Sequence, residues 1–583
     1  MSKIRVATKA EIEAAGCKVF PVKGHTLALF STPEGIFAID NRCPHMGFPL
    51  DRGSVKDGIL TCHWHHARFD LATGGAFDLF ADDIPVFPAT IEGDDVYVDL
   101  SQIRDRRAYN RKRLQDGLEQ NISLVVAKSV INLVEPDEPE TAVEPFQIAL
   151  DFGSRYRSGG WGMGQTINAC MLNLLPHLNP ADRRRAMYQG VTAVSRDTAG
   201  MAPRFMIEPL PQATTDMPTL KRWFRQFVLV RDAEGAERCV ATAIQAGAGP
   251  QAVAGPQAVA DMFFSAVTDY RYLTIGHVAD FTNKAFEALD QVGWAHAQPV
   301  LSGLIRNYVN GTRMEERNAW RHPIDLAEIL NQAFTKIPAA LTEGKNKASS
   351  PHTMASTVDI LLGDDPQAIV DLLLQALADG AGQEELAQLV SYAAARRIAH
   401  FHISNEFGDW DTVLHTFTYA NAVQHAMRRA PSVELLRGVF DAAMSVYLDR
   451  FLNIPSTPLP GVAGNDIPPA DLLAEFLTLL NKQQQVNEAA TLVAQYLANG
   501  GHPEALIATL GTALLREDQD FHTIQTVETA VAQHRLLAGL PEAKHILIAA
   551  ARYLAAHAPT PRAQNQTYQI ALRLHRGEAL FAG

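Results

Sequence analysis

A chain of 583 residues is long enough for two or more domains with large apolar cores, and its apolar content of 47% is ordinary for a globular protein. Its net charge of −13 argues against nucleic acid as a partner, because phosphate binding requires a basic surface. We find no apolar run of the roughly 18 residues that a membrane span needs, and the first residues do not resemble a signal peptide. We therefore expect a soluble protein that does not contact a membrane.

Short apolar segments alternate with turn residues from the beginning of the chain to about residue 104. Such segments occupy residues 18–22, 26–30, 35–39 and 96–100. Each is the length of a strand, and turn residues separate it from its neighbours. The pattern predicts a small all-β domain over residues 1–104.

Two cysteine–histidine pairs stand inside this predicted domain. The first is Cys43 and His45, the second is Cys62 and His65, and 16 residues separate His45 from Cys62. Structural zinc sites usually pair cysteine with cysteine and histidine with histidine on short spacings. Here each pair is mixed, which suits a [2Fe–2S] cluster with two thiolates on one iron and two imidazoles on the other. A Cys2His2 zinc site is the alternative.

The residues around these pairs resemble a Rieske [2Fe–2S] domain of the soluble ferredoxin and oxygenase kind. The similar segments are residues 38–42, 49–53, 58–60 and 69–74, so the resemblance covers about a fifth of the chain. It implies that Cys43 and Cys62 bind the inner iron and that His45 and His65 bind the outer iron. It also implies that the two histidines form an electron port toward solvent.

The sequence departs from the cytochrome bc type of Rieske protein at several positions. Phe48 and Trp64 occupy the places of the two cysteines that form a disulfide in that type, and Ala67 and Phe69 replace its hydroxyl side chains. Fewer hydrogen bonds to the cluster imply a potential in the lower part of the Rieske range, about −150 mV. His66 stands where the family usually has glycine. Either the backbone there tolerates a side chain, or His66 is another exposed imidazole.

The three remaining cysteines, Cys17, Cys170 and Cys239, are widely spaced and form no motif. We interpret them as buried structural thiols. Few cysteines together with an iron–sulfur cluster indicate a reducing compartment, so we expect a cytoplasmic protein.

Beyond the predicted β domain the pattern changes to helical spacing. Residues 105–145 contain a basic stretch and an acidic turn, and we interpret them as a linker or a solvated helix. Residues 146–583 are predicted to form a large all-α domain built as a helical array, with a possible subdivision at the proline-rich residues 454–469. The candidate helices are 165–175, 181–195, 220–230, 258–266, 277–292, 298–309, 324–334, 367–378, 383–401, 410–429, 433–451, 471–480, 486–498, 504–515, 521–537 and 542–557.

One face of the predicted helix 410–429 carries possible metal ligands. Steps of about 100° per residue place Asp411, His415 and His425 within about 80° of arc, and His400 and His402 lie just upstream. Imidazoles and a carboxylate together suit a non-haem iron or another first-row metal. The alternative is a polar helix face with hydrogen-bonded core histidines.

A second polar face belongs to the predicted helix 277–292. It contains His277, Asp280, Lys284, Glu287 and Gln291, and Asp280 and Lys284 are spaced as a favourable ion pair. Because the face mixes both charge signs, we expect it to be solvated. The alternative is that His277, beside Gly276, points into a pocket.

The helical region also resembles questin oxidase-like proteins, in segments scattered over residues 150–575. These segments begin near residues 275, 399, 414, 514 and 555. That family oxygenates polyketide-derived aromatic ketones in Baeyer–Villiger fashion. The resemblance implies an oxidative role for four histidines, which are our candidate catalytic residues: His277, His402, His415 and His522. The mononuclear iron motif of Rieske oxygenases, of the form Asp-x2-His-x4-His, is not found, so their mechanism is not transferred.

Two functions follow from these observations. In the first, the protein is a Rieske-type oxidoreductase, and monooxygenase is the particular class that we consider. An external reductase supplies its electrons. The cluster then passes single electrons to an oxidative site in the helical domain, where a second metal or an organic cofactor acts on a small aromatic or ketone substrate. In the second, the protein is an electron-transfer or redox-sensing module whose helical domain binds a protein partner.

Overall fold

The computed structural model describes residues 3–101, 105–211, 216–247, 255–347, 354–461, 463–464, 466–578 and 580. The boundary predicted after residue 104 is adjacent to residues 102–104, which lie outside the described residues, as do two residues of the predicted subdivision at 454–469. The chain folds into two compact units. The first unit is Met1–Ile148 together with Ala563–Gly583, and the second is Ala149–Arg562.

The first unit contains three antiparallel sheets of short strands. The strands are β1 Lys3–Thr8, β2 Cys17–Val22, β3 His25–Thr32, β4 Gly35–Asp40, β5 Ser54–Lys56, β6 Ile59–Thr61, β7 Arg68–Asp70, β8 Val86–Phe87, β9 Ala89–Glu92 and β10 Asp95–Asp99. The orders of the strands in the three sheets are β1-β10-β9, β2-β3-β4-β8 and β5-β6-β7. The small β domain predicted at the N-terminus is confirmed, with one short helix, α1 Lys9–Ala15, between β1 and β2.

One apolar core of this unit fixes the position of the two cysteine–histidine pairs. Leu50, Leu60 and Phe69 are fully buried in it, and the side chains of Cys43 and Cys62 belong to the same core. The register of the β6–β7 pair, in which Leu60 opposes Phe69, places the second cysteine–histidine pair in the connection between these strands. The first pair lies in the connection between β4 and β5.

Helices complete the first unit. They are α1 Lys9–Ala15, α2 Arg106–Glu119, α3 Ser123–Leu133, the beginning of α4 Val143–Tyr156, and α24 Ala563–His575. The side chain of Asp105 starts α2 by accepting hydrogen bonds from the backbone N–H groups of Arg107 and Ala108. Helix α3 packs against both α2 and α24. The segment predicted as a linker is therefore largely helical, while the domain boundaries at 104 and 145 remain predictions.

The second unit is built from helices. They are α5 Met163–Leu174, α6 Pro180–Thr198, α7 Met217–Leu229, α8 Ala233–Gly247, α9 Pro256–Val267, α10 His277–Val292, α11 Ala297–Ser302, α12 Ile305–Val309, α13 Leu326–Gly344, α14 Met354–Leu361, α15 Pro366–Ala378, α16 Gln383–Ala399, α17 Phe407–Arg429, α18 Val433–Leu448, α19 Pro469–Leu479, α20 Val486–Ala498, α21 Pro503–Arg516, α22 Phe521–Leu536 and α23 Ala543–Ala556. The fold class predicted from the sequence, a small β domain followed by a large helical region, is confirmed. No helix among the described residues is both long and apolar enough to cross a membrane.

Helices α10, α17 and α22 bring distant residues together, because α17 packs against both of the others. Helix α10 begins after Gly276, which has a φ of +90°, and a Cβ at that position would come within 2.8 Å of the Tyr419 side chain on α17. Glycine is therefore required for this close approach. Helix α22 begins at Asp520, whose carboxylate accepts a hydrogen bond from the backbone N–H of Thr523 at 2.8 Å.

Candidate functional site

The two loops that carry the cysteine–histidine pairs have the same backbone structure. In the first loop the N–H of Cys43 donates to the carbonyl oxygen of Phe48 at 2.8 Å, and in the second the N–H of Cys62 donates to that of Ala67 at 2.9 Å. Each loop is thus closed five residues after its cysteine. The closure holds the cysteine and the histidine of each pair on one tight turn.

The fourth residue after each cysteine has a left-handed backbone. Gly47 has a φ of +82° and His66 a φ of +59°. Glycine adopts this conformation without cost, whereas a residue with a side chain does so less readily. His66 nevertheless adopts it, and its side chain is exposed. Both interpretations of His66 from the sequence therefore hold.

The four candidate cluster ligands lie together at the tips of these loops. The Cys43 and Cys62 side chains are buried and within hydrogen-bonding distance of each other. The centres of the His45 and His65 rings are 4.8 Å apart. Two thiols on the inner side and two imidazoles on the outer side are the donor set of a Rieske cluster.

The environment of the donors fits bound iron. Nδ1 of His45 is buried and has no hydrogen-bond partner among the described residues, and such a nitrogen is costly unless it binds a ligand. Burial lowers the pKa of His45 to about 4, so its imidazole is neutral at pH 7. A hydrogen bond from Cys43, together with the backbone amides of Trp64 and His65, lowers the pKa of Cys62 to about 6. A neutral imidazole and a thiolate are the ionisation states that bind metal.

The two imidazoles differ in exposure. His65 is exposed, whereas His45 is half-buried and packs against Phe80, with ring centres 4.9 Å apart. Of the two predicted ports to solvent, His65 is thus the more accessible.

An aromatic pair connects the two loops at the positions where the resemblance places a disulfide in the cytochrome bc type. The ring centres of Phe48 and Trp64 are 6.1 Å apart. Pairs at this distance contribute about 0.5–1.5 kcal/mol beyond the area that they bury. The aromatic contact therefore joins the loops without a covalent bond.

A lysine from helix α3 supports the first loop from behind. The Nζ of Lys128 donates hydrogen bonds to the carbonyl oxygens of Pro44 and of His45, the latter at 3.2 Å. It also forms an ion pair with Asp82 at 3.1 Å, and Asp82 in turn accepts a hydrogen bond from Nε of Arg113 at 2.8 Å. The loop is thus held by charges that lie far from it in the sequence, which is why the sequence analysis missed Lys128 and Asp82.

Comparisons with known proteins agree with this geometry. Residues 2–88 match the family described as the Rieske [2Fe-2S] domain. The ferredoxin component of the naphthalene 1,2-dioxygenase system from Pseudomonas aeruginosa is 36% identical over 81 residues, which are 14% of this chain and 78% of that protein. The 3-phenylpropionate/cinnamic acid dioxygenase ferredoxin subunit from Escherichia coli (strain K12) is 34% identical over 99 residues, which are 17% of this chain and 90% of that protein.

Among solved structures, the ferredoxin of carbazole 1,9a-dioxygenase from Nocardioides aromaticivorans IC177 is similar. Its sequence identity is 25% and its TM-score 0.16, and the match covers 17% of this chain and 97% of that one.

Through its N-terminal region the chain belongs to the Rieske [2Fe-2S] domain family. This region is an electron-transfer domain of the Rieske ferredoxin type, and its cofactor is a [2Fe–2S] cluster. The relatives cover less than a fifth of the chain, so they describe only this part.

A second group of candidate ligands lies in the helical unit. Ligand atoms of His277, His415 and His522 all lie within 4.8 Å of one another. The Nε2 atoms of His277 and His415 are 3.1 Å apart. Three of the four histidines that the sequence analysis named as candidate catalytic residues are therefore neighbours, although they come from three helices.

Two carboxylates adjoin His522. Oδ2 of Asp411 is 3.7 Å and Oδ2 of Asp520 is 3.6 Å from its Nδ1. The hydroxyl of Tyr553 donates to Oδ1 of Asp411 at 3.1 Å. Asp411, which the sequence analysis placed on one helix face with His415, is thus adjacent to the histidine group.

Burial determines the charge of this group. It lowers the pKa of His277 to about 4 and that of His415 to about 3. Both imidazoles are therefore neutral at pH 7, and each has a nitrogen lone pair available for a metal ion.

An apolar cavity of about 570 Å³ opens beside the histidine group. His415 and Asp411 line it, and most of its other walls are apolar or aromatic, including Ile275, Trp320 and Leu448. Its volume and lining are those of a pocket for a small organic molecule.

The fourth candidate, His402, lies outside this group. Its Nδ1 atom contacts the Ser404 hydroxyl at 2.7 Å in the loop before α17. His425 also lies elsewhere, because its Nδ1 atom is 3.6 Å from Oε1 of Glu287. Asp411 and His425 share one face of α17 but therefore lie in two different environments.

The polar face of α10 is buried, which contradicts our expectation of a solvated face. Asp280 and Lys284 are 0% and 1% exposed. Nζ of Lys284 is 2.9 Å from Glu287 and 2.6 Å from Glu528 on α22. The charges are paired inside the helical unit rather than hydrated, because α5, α9 and α17 pack against α10 and side chains of α22 reach its charged groups.

Proposed function

We propose that this protein is an oxidoreductase in which electrons received by the Rieske domain are used at a metal-dependent oxidative site in the helical region. The observation that carries the proposal is the convergence of His277, His415 and His522 beside an apolar cavity. Three imidazoles with an adjoining carboxylate are ligands that suit non-haem iron and other first-row metals.

The spacing of the histidines supports a metal ion rather than only a hydrogen bond. Two nitrogens bound at about 2.1 Å and at a right angle to one ion lie about 3 Å apart, and the Nε2 atoms of His277 and His415 are separated by 3.1 Å. His522 would supply a third nitrogen, and Asp411 would supply a carboxylate oxygen or orient His522. We include these residues in the site and leave His402 outside it.

At the Rieske domain the chain's own residues have distinct roles. Cys43 and Cys62 would hold the inner iron, and His45 and His65 the outer one. A bound [2Fe–2S] cluster supplies one electron at a time. The exposed ring of His65 would be the port for electrons from an external reductase, while Phe80 shields His45 from water.

The cavity suggests the substrate. Its apolar and aromatic walls favour a small aromatic or ketone compound. The questin oxidase-like resemblance of the helical region points in the same direction, and the dioxygenase systems of the Rieske-domain relatives are named after aromatic compounds. A monooxygenase reaction is the form of oxidation that we favour.

An electron-transfer or redox-sensing protein is the second candidate. It is favoured by two exposed apolar side chains, Phe77 and Leu79, each of which is 57% exposed. They lie on the same segment as Phe80, whose ring packs against His45. Such residues suit a docking surface for a protein partner. In this alternative the helical unit would bind a partner rather than carry out chemistry.

Metal content distinguishes the two functions. Anaerobically purified full-length chain should contain metal beyond the two irons of the cluster. His415→Ala and His522→Ala should lose this additional metal and keep the Rieske signal in electron paramagnetic resonance. His402→Ala is the matched control and should keep both. A wild-type chain with only two irons, or a His415→Ala variant with unchanged metal content, would refute the second metal site.

A further inference from the structure

A second, polar cavity of about 730 Å³ lies in the helical unit. Arg396, Arg397 and His400 on or just after α16 form one side of it, and Arg450, just after α18, forms another. The cavity thus collects three guanidinium groups in a chain whose net charge is −13.

Two of these arginines have no ion-pair partner within the part of the chain that the structure describes. Arg397 is 5% exposed and donates to the carbonyl oxygens of Leu362 and Val446, and no described residue accepts a hydrogen bond from its buried Nε. Arg396 donates to the Tyr392 hydroxyl and contacts His400 at 3.2 Å, and its Nε also has no partner among the described residues. A buried guanidinium without an anion is unfavourable, so the site is prepared for one.

The other ionisable groups of the cavity do not neutralise these charges. Asp359 and Asp364 are exposed, and Asp364, 92% exposed at its side chain, is 3.7 Å from Nε of Arg450. Burial lowers the pKa of His400, whose Nδ1 contacts the carbonyl oxygen of Thr457 at 2.8 Å. Three arginines therefore face two solvated carboxylates and a neutral imidazole.

One buried carboxyl, that of Asp449, attracts Arg397 from outside the polar cavity. It lines the apolar cavity instead, and burial raises its pKa to about 7. Burial therefore favours the neutral form of this carboxyl, which weakens its attraction for Arg397.

The polar cavity and the apolar cavity share a wall. Arg450 and Phe451 line both of them. The guanidinium of Arg450 stacks on the Tyr447 and Phe451 rings, 3.6 and 3.8 Å from their centres, and this stacking fixes its position. Arg450 and Phe451 thus form the border between the two cavities, and a ligand that spans this border would place an anionic group against the arginines and an apolar body beside His415.

We propose that Arg396, Arg397 and Arg450 bind an oxyanion, carboxylate or phosphate, on a ligand whose apolar ring system occupies the cavity beside His415. Guanidinium groups recognise both anions through paired N–H donors. Identifying this ligand as the substrate rests on the proposed function, whereas the binding itself does not. The substrate class is then an aromatic acid or an aromatic phosphate ester.

The test compares two nearly isosteric probes, 2-naphthoate and the neutral 2-naphthamide. Their binding to full-length chain is measured by titration calorimetry after removal of loosely bound metal with a chelator. We expect 2-naphthoate to bind at least tenfold more tightly than 2-naphthamide, and inorganic phosphate to compete with 2-naphthoate. Repeating the titration with 2-naphthyl phosphate shows which of the two oxyanions is preferred. Equal affinities for 2-naphthoate and 2-naphthamide would overturn the proposal.

Substitutions of single arginines test where the anionic group of the probe binds. Arg396→Gln and Arg450→Gln should each weaken 2-naphthoate about tenfold and change 2-naphthamide less than twofold. Arg428→Gln, at an exposed arginine that pairs with Glu384, is the matched control and should change neither. A large aromatic residue at the cavity, Ala319→Trp, should weaken both probes. Equal loss of both probes in Arg450→Gln would mean that the arginine only supports packing, which contradicts the proposal.

The result of the anion-binding test is independent of the result of the test for the second metal site. Loss of the additional metal in His415→Ala is measured without either probe, and the preference for 2-naphthoate is measured without turnover. A charge preference in a chain without a second metal would leave the anion site standing and refute only the oxidative function.

Discussion

Nζ of Lys128 lies 3.2 Å from the carbonyl oxygen of His45, so a residue beyond the matched Rieske region supports a cluster-binding loop. Its positive charge should stabilise the more negative, reduced form of a bound cluster. Because Asp82 pairs with the same ammonium group, the two residues act on the potential in opposite directions.

We therefore predict that Lys128→Met lowers the reduction potential of the cluster and that Asp82→Asn raises it. Redox titration monitored by electron paramagnetic resonance measures both changes. Lys128→Met should also destabilise the first unit by about 1.5–3 kcal/mol, the contribution of a hydrogen bond to a charged group. Lys112→Met, at an exposed lysine on α2, is the control. Shifts of the same sign in the two variants would contradict the prediction.

Cys62→Ala should abolish the Rieske signal in electron paramagnetic resonance, because the inner iron would lose one of its two thiolates. Iron and acid-labile sulfide should fall in parallel. Cys239→Ala removes a buried thiol from the helical unit and should leave signal, iron and sulfide unchanged. An unchanged spectrum in Cys62→Ala would refute the ligand assignment.

Lys284→Met should lower the stability of the helical unit by about 3–5 kcal/mol, because Glu528 and Glu287 would then be buried without a cation. Differential scanning calorimetry of the full chain measures the change. Lys336→Met, at an exposed position of α13, should have little effect. The double variant Lys284→Met/Glu528→Gln should recover part of the loss, and its failure to do so would mean that the lysine stem rather than its charge matters.

The stability of the helical unit should also depend on the ionisation of Asp280. Burial raises the pKa of this carboxyl to about 7, and in the unfolded chain it ionises near pH 3.8. Between these two values the folded chain binds more protons than the unfolded chain, so stability falls as pH rises from about 4 to about 7. The Tm should therefore fall more between pH 5 and pH 7.5 in wild type than in Asp280→Asn. An identical pH dependence in both proteins would exclude Asp280 as the cause.

The sequence predicted the parts of the sites that are encoded by local spacing. The two cysteine–histidine pairs are short motifs, and each forms a tight turn on its own. The face shared by Asp411 and His415 follows from helical periodicity. The candidate catalytic roles of His277 and His522 came only from a family resemblance, although periodicity had also placed His277 on a polar helix face. The proximity of both residues to His415 depends on the packing of α10 and α22 against α17.

Other features depend on contacts that periodicity cannot reveal. The charges of α10 appeared suited to solvent, yet the cation of Lys284 is paired with a carboxylate on α22, far away in the sequence. Arg397 and Arg450 line one cavity only because α16 packs against α18. His402 was named with His415 as a candidate, but its ring contacts Ser404 in the loop before α17 and not the histidine group. The residue types thus indicated the chemistry of each site, whereas the residues that contact them could be identified only from the tertiary structure.

The contact between Phe48 and Trp64 has a consequence for handling the protein. Since a contact between two tilted aromatic rings rather than a sulfur–sulfur bond joins the two loops, dithiothreitol or glutathione has no bond to cleave between them. The geometry at His45 and His65 should then be the same in strongly reducing and in mildly oxidising buffers, and any sensitivity to thiol reagents would originate at the iron ligands themselves.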